Sequence, residues 1–124
     1  MKIHRKEINA LGVKFYILQN DKEVARARLY LLYNDLHPEP FGLMEDVFID
    51  ETLRGKGYGS KLVNAVLEEA RKRGCYKLIC TSRHAKLHAH KFYEKLGFKP
   101  IGKLRKQEKI GDRYYDEIVL EKFL

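Results

Sequence analysis

The sequence predicts a single α/β (α+β) domain over residues 1–124, a mixed and mostly antiparallel sheet flanked by helices. Three observations carry that expectation. The N-terminal third alternates apolar and polar residues with the period of half-buried strands. Tyr58 to Arg73 places its apolar residues at helical spacing. Between them, Val47 to Ser60 runs from an apolar strand through a glycine-rich turn directly into that helix.

In chain order, Phe15, Ile17 and Gln19 alternate with Tyr16 and Leu18, and Asn20-Asp21-Lys22 supplies the turn chemistry of a hairpin. In the partner strand, Val24 to Tyr33, one face carries Ala25, Ala27, Leu29, Leu31 and Tyr33, and the other Arg26, Arg28 and Tyr30. One buried and one wet face suits an antiparallel strand. Asp35 to Pro40 is expected to be a loop, because two prolines one residue apart suit neither ladder nor helix. Gly42 to Asp50 reads as a central strand, apolar except for Glu45, Asp46 and the terminal Asp50.

The helix from about Tyr58 to Arg73 buries Leu62, Val63, Val66, Leu67 and Ala70. Glu68 with Lys72 and Glu69 with Arg73 form i,i+4 pairs, and Gly74 is placed to end it. Tyr76 to Thr81 supplies another strand. A second helix, about Ala85 to Lys95, is expected to bury Ala85, Ala89, Phe92 and Leu96 and to stop at Gly97. Phe98 to Leu104 and Tyr114 to Phe123 read as paired strands, giving the order β-β-β-β-α-β-α-β-β with a right-handed crossover at the glycine turn.

Composition narrows the function classes. Of the 124 residues, 44% are hydrophobic and 34% charged, which suits one globular domain rather than a disordered chain. No stretch approaches the ~18 apolar residues of a membrane span, and Met1 to Glu7 lacks the apolar core of a signal peptide. The expected compartment is the cytoplasm. Cys75 and Cys80 lie on one extended segment, about 16 Å apart at strand rise, too far for a disulfide. The net charge of +8 points to anionic partners, and nucleic acid, a membrane surface and a phosphorylated cofactor all satisfy it.

The glycine turn is where an anion would sit. Gly55, Gly57 and Gly59 remove side chains that would hold a ligand off the backbone, and they permit positive φ. The helix behind them begins with unpaired N–H groups and partial positive charge. Arg54 and Lys56 add two full charges. A nucleotide P-loop needs G-x-x-x-x-G-K-[ST], which is absent, and in a Rossmann turn the third glycine would come one residue later. The pattern Arg54-x-x-Gly57-x-Gly59 instead resembles the acetyl-CoA pyrophosphate loop of the GNAT superfamily of N-acetyltransferases. A flexible basic turn before an ordinary helix would look the same.

Ala89 to Phe98 adds a second point of resemblance. It is similar to the superfamily's recurrent helix that ends in Phe-Tyr-x-x-x-Gly-Phe, here Phe92-Tyr93 with Gly97-Phe98. Tyr93 lies about 100° around the helix from Phe92, so its phenol can face a cleft while Phe92 and Leu96 face the core. The resemblance runs from about Gly42 to Phe98 and implies acetyl-CoA as cosubstrate and an amine as acceptor. It assigns the backbone of Val47, Phe48 and Ile49 to the pantetheine arm and acetyl carbonyl. The turn Arg54, Gly55, Lys56, Gly57, Gly59 and Ser60 takes the pyrophosphate, and Tyr93 protonates the departing thiolate. Lys86 stands where most members have an asparagine, and a lysine there can meet a CoA phosphate. The N-terminal helices usual in the superfamily have no counterpart in the pattern before Tyr58.

Glu45 and Asp46 are costly inside a strand unless they are paired or line a cleft. The acceptor amine must lose a proton before attack, so Glu45 is the candidate base, directly or through water; a structural pairing of both acids with Arg26, Arg28 or a subunit neighbour is the alternative. Glu45-Asp46-Val47, Arg54-Gly55-Lys56-Gly57 and Gly74-Cys75-Tyr76-Lys77 also resemble the glucosamine-6-phosphate N-acetyltransferases of this superfamily. Tyr30, Tyr33, His37, Glu45 and Tyr115 are the expected acceptor-side lining, either open to a protein amine or closed by a homodimer. His84 and His88 have metal-ligand spacing but no third ligand, so no metal is expected. Two other classes fit parts of the chain. One is a non-catalytic acyl-CoA-binding protein on the same fold. The other, less favoured, is a basic nucleic-acid-binding domain using Lys103, Arg105, Lys106, Lys109, Arg113, Tyr114 and Tyr115.

Overall fold

The computed structural model describes residues 1–8, 10–34 and 36–124. Strands β1 (Leu11–Gln19), β2 (Lys22–Asn34) and β3 (His37–Ile49) precede helix α1 (Tyr58–Lys72), and β4 (Lys77–Arg83) leads to α2 (Leu87–Lys95). Strands β5 (Lys99–Ile110) and β6 (Arg113–Phe123) close the chain. All six lie in one sheet ordered β1-β2-β3-β4-β6-β5, antiparallel except for the β3–β4 pair. Three strands, not four, precede α1 among the described residues. No described helix comes before the short 3₁₀ turn at Glu51–Leu53.

Local chemistry explains the joints. Asn20 and Asp21 both have positive φ, 53° and 61°, the left-handed pair that a two-residue hairpin needs to match strand twist. At the end of α1, the Gly74 N–H bonds the Arg71 carbonyl and the Cys75 N–H reaches back to Ala70, each at 3.0 Å. Gly74 takes the φ of 77° that this double bond requires. α2 ends the same way, with Gly97 bonding Glu94 and Phe98 bonding Tyr93, and Gly97 at φ 94°. Leu62, Val63, Val66, Leu67 and Ala70 of α1 are buried, packed across β1, β2 and β3 onto Ala25, Ala27, Leu29 and Leu31. Glu69 and Arg73 pair at 3.3 Å.

Three expectations fail for stated reasons. β3 begins at His37 and runs through Pro38 and Pro40, where a loop was expected; Asp35 lies outside the described residues. The Pro40 carbonyl accepts from the Tyr76 N–H, so Pro40 and its i−2 neighbour Pro38 turn their missing N–H groups away from β2, beside which the ladder needs none. Tyr33 is 52% exposed instead of joining the buried face, because the register shifts between Leu32 and Asn34. In α2 the buried residue is Tyr93, Ala89, Phe92 and Leu96 are half-buried, and Ala85 lies exposed ahead of the helix.

The feature that positions everything else is the short β3–β4 ladder. It pairs only Gly42–Leu78, Leu43–Ile79 and Met44–Cys80. Beyond Met44, β3 stays with β2 through Phe48 and Ile49, while β4 stays with β6 as far as Arg83, so the two halves of the sheet part. The core is anchored where they still touch. Leu78→Ala, which empties a fully buried site at this junction, is expected to cost about 2–5 kcal/mol, read from the midpoint of urea unfolding.

Candidate active site

The parting of β3 from β4 is produced by one residue. Asp46 has φ 53° within the strand, and the β2–β3 register shifts opposite it, between Arg26 and Arg28. This is a β-bulge, which bends a strand and ends pairing locally. The Asp46 carboxylate accepts from Arg26 Nε at 2.8 Å and Nη2 at 3.2 Å, and it also pairs with Arg28. The Arg26 hydrogen bond, with further help from the Arg26, Arg28 and Lys14 charges, holds the Asp46 carboxyl below its ordinary range against the effect of burial. Asp46 is thus a structural ion, and the alternative reading of the acidic pair holds for this half of it. Among the described residues Glu45 makes no ion pair.

The opening forms a cleft of about 1050 Å³. Val47, Phe48, Ile49, Arg54, Gly55, Gly57, Gly59, Ser60 and Lys86 all line it; Lys56, exposed on the same turn, does not. Because the β3–β4 ladder ends at Met44, the backbone groups of Val47 to Ile49 on the cleft side have no strand partner. They offer an edge that an extended ligand can pair with. The Ile49 carbonyl alone is met by Arg54 Nε at 3.1 Å.

At the cleft's far end, α1 starts without a capping side chain and without an acidic residue in its first turn. Its leading N–H groups and its dipole are therefore free for an anion. Gly57 caps the helix at φ 83° and Gly55 has φ 76°; an added Cβ at either would meet nothing within 4 Å, so dihedral and not space demands glycine there. Gly59 differs. A Cβ would sit 3.3 Å from Phe92 Cζ, so this glycine lets α1 and α2 approach at the mouth. Upstream, the Asp50 carboxylate accepts from the Thr52 N–H at 3.0 Å and the Thr52 hydroxyl at 2.7 Å, fixing the turn before the glycines.

A second cleft, of about 570 Å³, opens on the other side of Tyr93 and shares Val47, Phe48, Lys86, Ala89 and Tyr93 with the first. Six of the nine other lining residues are charged, Glu45, Asp46 and Arg26 from one half-sheet and Arg83, Glu108 and Glu117 from the other, and Thr81, Ser82 and Gln107 are the uncharged three. Tyr93 stands where the clefts meet, only 5% exposed, with Phe92 and Phe98 edge-on at 5.2 and 5.8 Å. Burial, and to a lesser degree Cys80, push the phenol well above its usual range, so it is a neutral donor at physiological pH. Cys80 is fully buried with its thiol pushed up to about 12 by burial, so it offers no nucleophilic thiolate to the site.

Of the expected acceptor-side residues, Glu45 reaches this cleft and Tyr115 supports it, stacking on Arg83 at 4.1 Å. Tyr30, Tyr33 and His37 lie toward the β2–β3 hairpin instead, where His37 packs edge-on against Tyr76. His84 precedes α2, so His84 and His88 do not share a helix face. Sequence reasoning missed Glu117 and the Arg83–Glu108 fork, whose bonds measure 3.2 and 3.0 Å. The adjacent acids Asp116 and Glu117 inside β6 are the same signal that marked Glu45 and Asp46 in β3.

The family model described as the acetyltransferase (GNAT) family matches residues 3–98. A glucosamine 6-phosphate N-acetyltransferase of Trypanosoma brucei brucei is 45% identical over 58 residues, 47% of this chain and 37% of that protein. The chain thus spans little more than a third of that relative's length. Among solved structures, a probable acetyltransferase from Staphylococcus epidermidis ATCC 12228 superposes with a TM-score of 0.78 at 20% identity, covering 90% of this chain and 67% of its own. Arabidopsis thaliana Naa50, in complex with the bisubstrate analogue CoA-Ac-MVNAL, superposes with a TM-score of 0.76 at 23% identity, covering 90% and 72%. Fold and family coincide with the expectation from the two motifs.

The bulge makes stability depend on pH in a definite direction. A carboxylate whose folded pKa is depressed contributes fully above its unfolded pKa and loses that contribution as pH falls through the folded value. Asp46→Asn keeps a residue tolerant of positive φ but removes the charge. The variant is expected to melt below the wild type at neutral pH, and the two melting curves should converge as pH drops beneath the carboxylate range. A gap independent of pH would contradict the ion-pair account.

Proposed function

We propose that this chain, which belongs to the GNAT acetyltransferase family, moves an acetyl group from acetyl-CoA to a primary amine by direct attack in a ternary complex. One observation carries the reading: an unpaired strand edge leads from a junction of two clefts at Tyr93 to an uncapped helix start flanked by Arg54. The larger cleft suits a long ligand with an anionic end. The pyrophosphate lies on Arg54, Gly55, Gly57, Gly59 and Ser60, with Lys56 adding charge from outside the lining. The pantetheine arm pairs with Val47, Phe48 and Ile49, and their backbone N–H groups polarise the acetyl carbonyl. Lys86, at the N-cap of α2 and in both clefts, reaches a phosphate or the acceptor.

On the acceptor side Glu45 meets the ammonium, whose proton leaves to a carboxylate of that cleft directly or through water. Tyr93, kept neutral by burial, gives its proton to the thiolate as the thioester breaks. The names of the relatives suggest the first acceptors to try, an amino-sugar phosphate and a peptide N-terminus. A homodimer that closes the acceptor side belongs to the same proposal. So does cytoplasmic residence, supported by two buried, free cysteines. No helix among the described residues is long and apolar enough to cross a membrane.

The test has two parts. Millimolar CoA and acetyl-CoA are expected to raise the melting temperature, since a ligand at about 100 times its Kd adds about 2.7 kcal/mol to the native state. No rise with either overturns the cofactor assignment. Thiol release from acetyl-CoA is then measured with glucosamine 6-phosphate, a peptide with a free N-terminus, an N-blocked lysine peptide and spermidine. Tyr93→Phe is expected to lower kcat by about 10²-fold while leaving acetyl-CoA affinity intact; an unchanged kcat removes Tyr93 as the acid.

A further inference from the structure

Resting on that transferase reading, we infer that Glu117 of β6, in place of Glu45, is the catalytic residue that takes the acceptor's ammonium proton, with Glu45 across the cleft as the partner that holds the ammonium. The argument begins with which carboxylates are free. The acceptor cleft holds four, Glu45, Asp46, Glu108 and Glu117. Asp46 is bound by Arg26 and Arg28, and Glu108 takes both nitrogens of the Arg83 fork. Arg83 is the register partner of Glu117 and its natural counterion, but that fork commits it to Glu108. Among the described residues, Glu45 and Glu117 are left without an ion-pair partner, on opposite half-sheets and both facing the space beside Tyr93.

The surroundings separate the roles of the two acids. Burial comes first in pushing the Glu117 carboxyl up, followed by the Glu108 charge; the Thr81 hydroxyl opposes, Glu45 pushes up, and Arg83 opposes weakly. The facing groups are therefore Thr81 and Arg83 on β4, Glu108 on β5, Glu45 on β3, and Lys86 and Tyr93 at α2. A base of raised proton affinity lies nearer to the ammonium it must deprotonate, which is the favourable match for proton transfer. The protons then balance. One passes from R–NH3⁺ to Glu117, the nitrogen lone pair forms the C–N bond, and the C–S bond breaks. The thiolate takes the Tyr93 proton, and the second nitrogen proton restores Tyr93. Glu117 gives up its proton to water, so the sum is amide, CoA thiol and one proton.

The experiment is kcat/KM against pH for wild type, Glu117→Gln and Glu45→Gln, using acetyl-CoA and each amine that the wild type turns over from the four named above. The wild type should reach a plateau once Glu117 is ionised. Glu117→Gln should be down about 10²-fold below the pKa of the amine used and climb toward the wild type as pH reaches that pKa, about 8 for a peptide N-terminus and about 10 for a lysine side chain. A purely structural residue would not change that shape. Acetyl-CoA affinity should stay the same, and Glu45→Gln should raise the amine KM while keeping the plateau. A Glu117→Gln profile that parallels the wild type overturns the assignment and leaves the transferase standing. A wild type inactive on all four amines overturns the transferase reading and the inference with it. Should Glu117→Gln not fold, Glu117→Asp keeps a carboxylate but withdraws it, and an unmoved acid limb in that variant overturns the inference equally.

Discussion

The Asp46 carboxylate clamped by Arg26 and Arg28 is the interaction on which the remaining architecture depends. A strand residue at φ 53° is strained for anything but glycine or a short polar side chain, and aspartate is one of the few that tolerate it. Both guanidiniums come from the adjacent strand, so the clamp fastens the bulge to β2 and leaves nothing to hold β3 against β4. From that single parting follow the unpaired edge at Val47 to Ile49, the cleft that runs toward α1, and the space on the far side of Tyr93. Arg26 also lies over the Phe48 ring at 4.7 Å, which ties the cleft-lining residue to the same clamp.

The glycines of the turn divide their work. Gly55 and Gly57 are there for dihedral angle, since open space surrounds both, whereas Gly59 is there for proximity to Phe92. The first pair lets the chain reverse from β3 into α1 with the helix N–H groups aimed outward, and the third draws α2 close enough to form the opposite wall. Two demands on three small residues explain their spacing better than flexibility does.

Much of this was legible in the sequence, and the parts that were not share a cause. α1, the Asn20-Asp21 hairpin and the stop at Gly97 follow from local rules, periodicity and φ preference, which depend on neighbours in the chain. The strand through Pro38 and Pro40 escaped because proline is excluded only from ladders that need its N–H, and which side needs it is a tertiary fact. Tyr33 and the face of α2 were misplaced by assuming unbroken alternation, which a bulge or a single buried ring overrides. At the site, the glycine turn and Tyr93 carry motifs, so they were found. Glu117 carries no motif, only a pair of adjacent acids inside a strand. Its character depends on Arg83 being held by Glu108, a contact between three strands that no local pattern records.

Charge is the last piece, and the net value of +8 conceals how it is arranged. Net charge biases a protein toward anionic partners in general, yet the two clefts are of opposite character. The larger one ends in Arg54 and an uncapped helix start, while the smaller one has its Arg26 and Arg83 paired and, among the described residues, leaves Glu45 and Glu117 without an ion-pair partner; Lys86 lines both. A polyanionic donor and a cationic amine would each be drawn to its own side and repelled from the other. They would meet at Tyr93, whose buried, uncharged hydroxyl favours neither. Ordering of the two reactants then needs no moving part, because it is built into which ion pairs the bulge and the Arg83 fork have already closed.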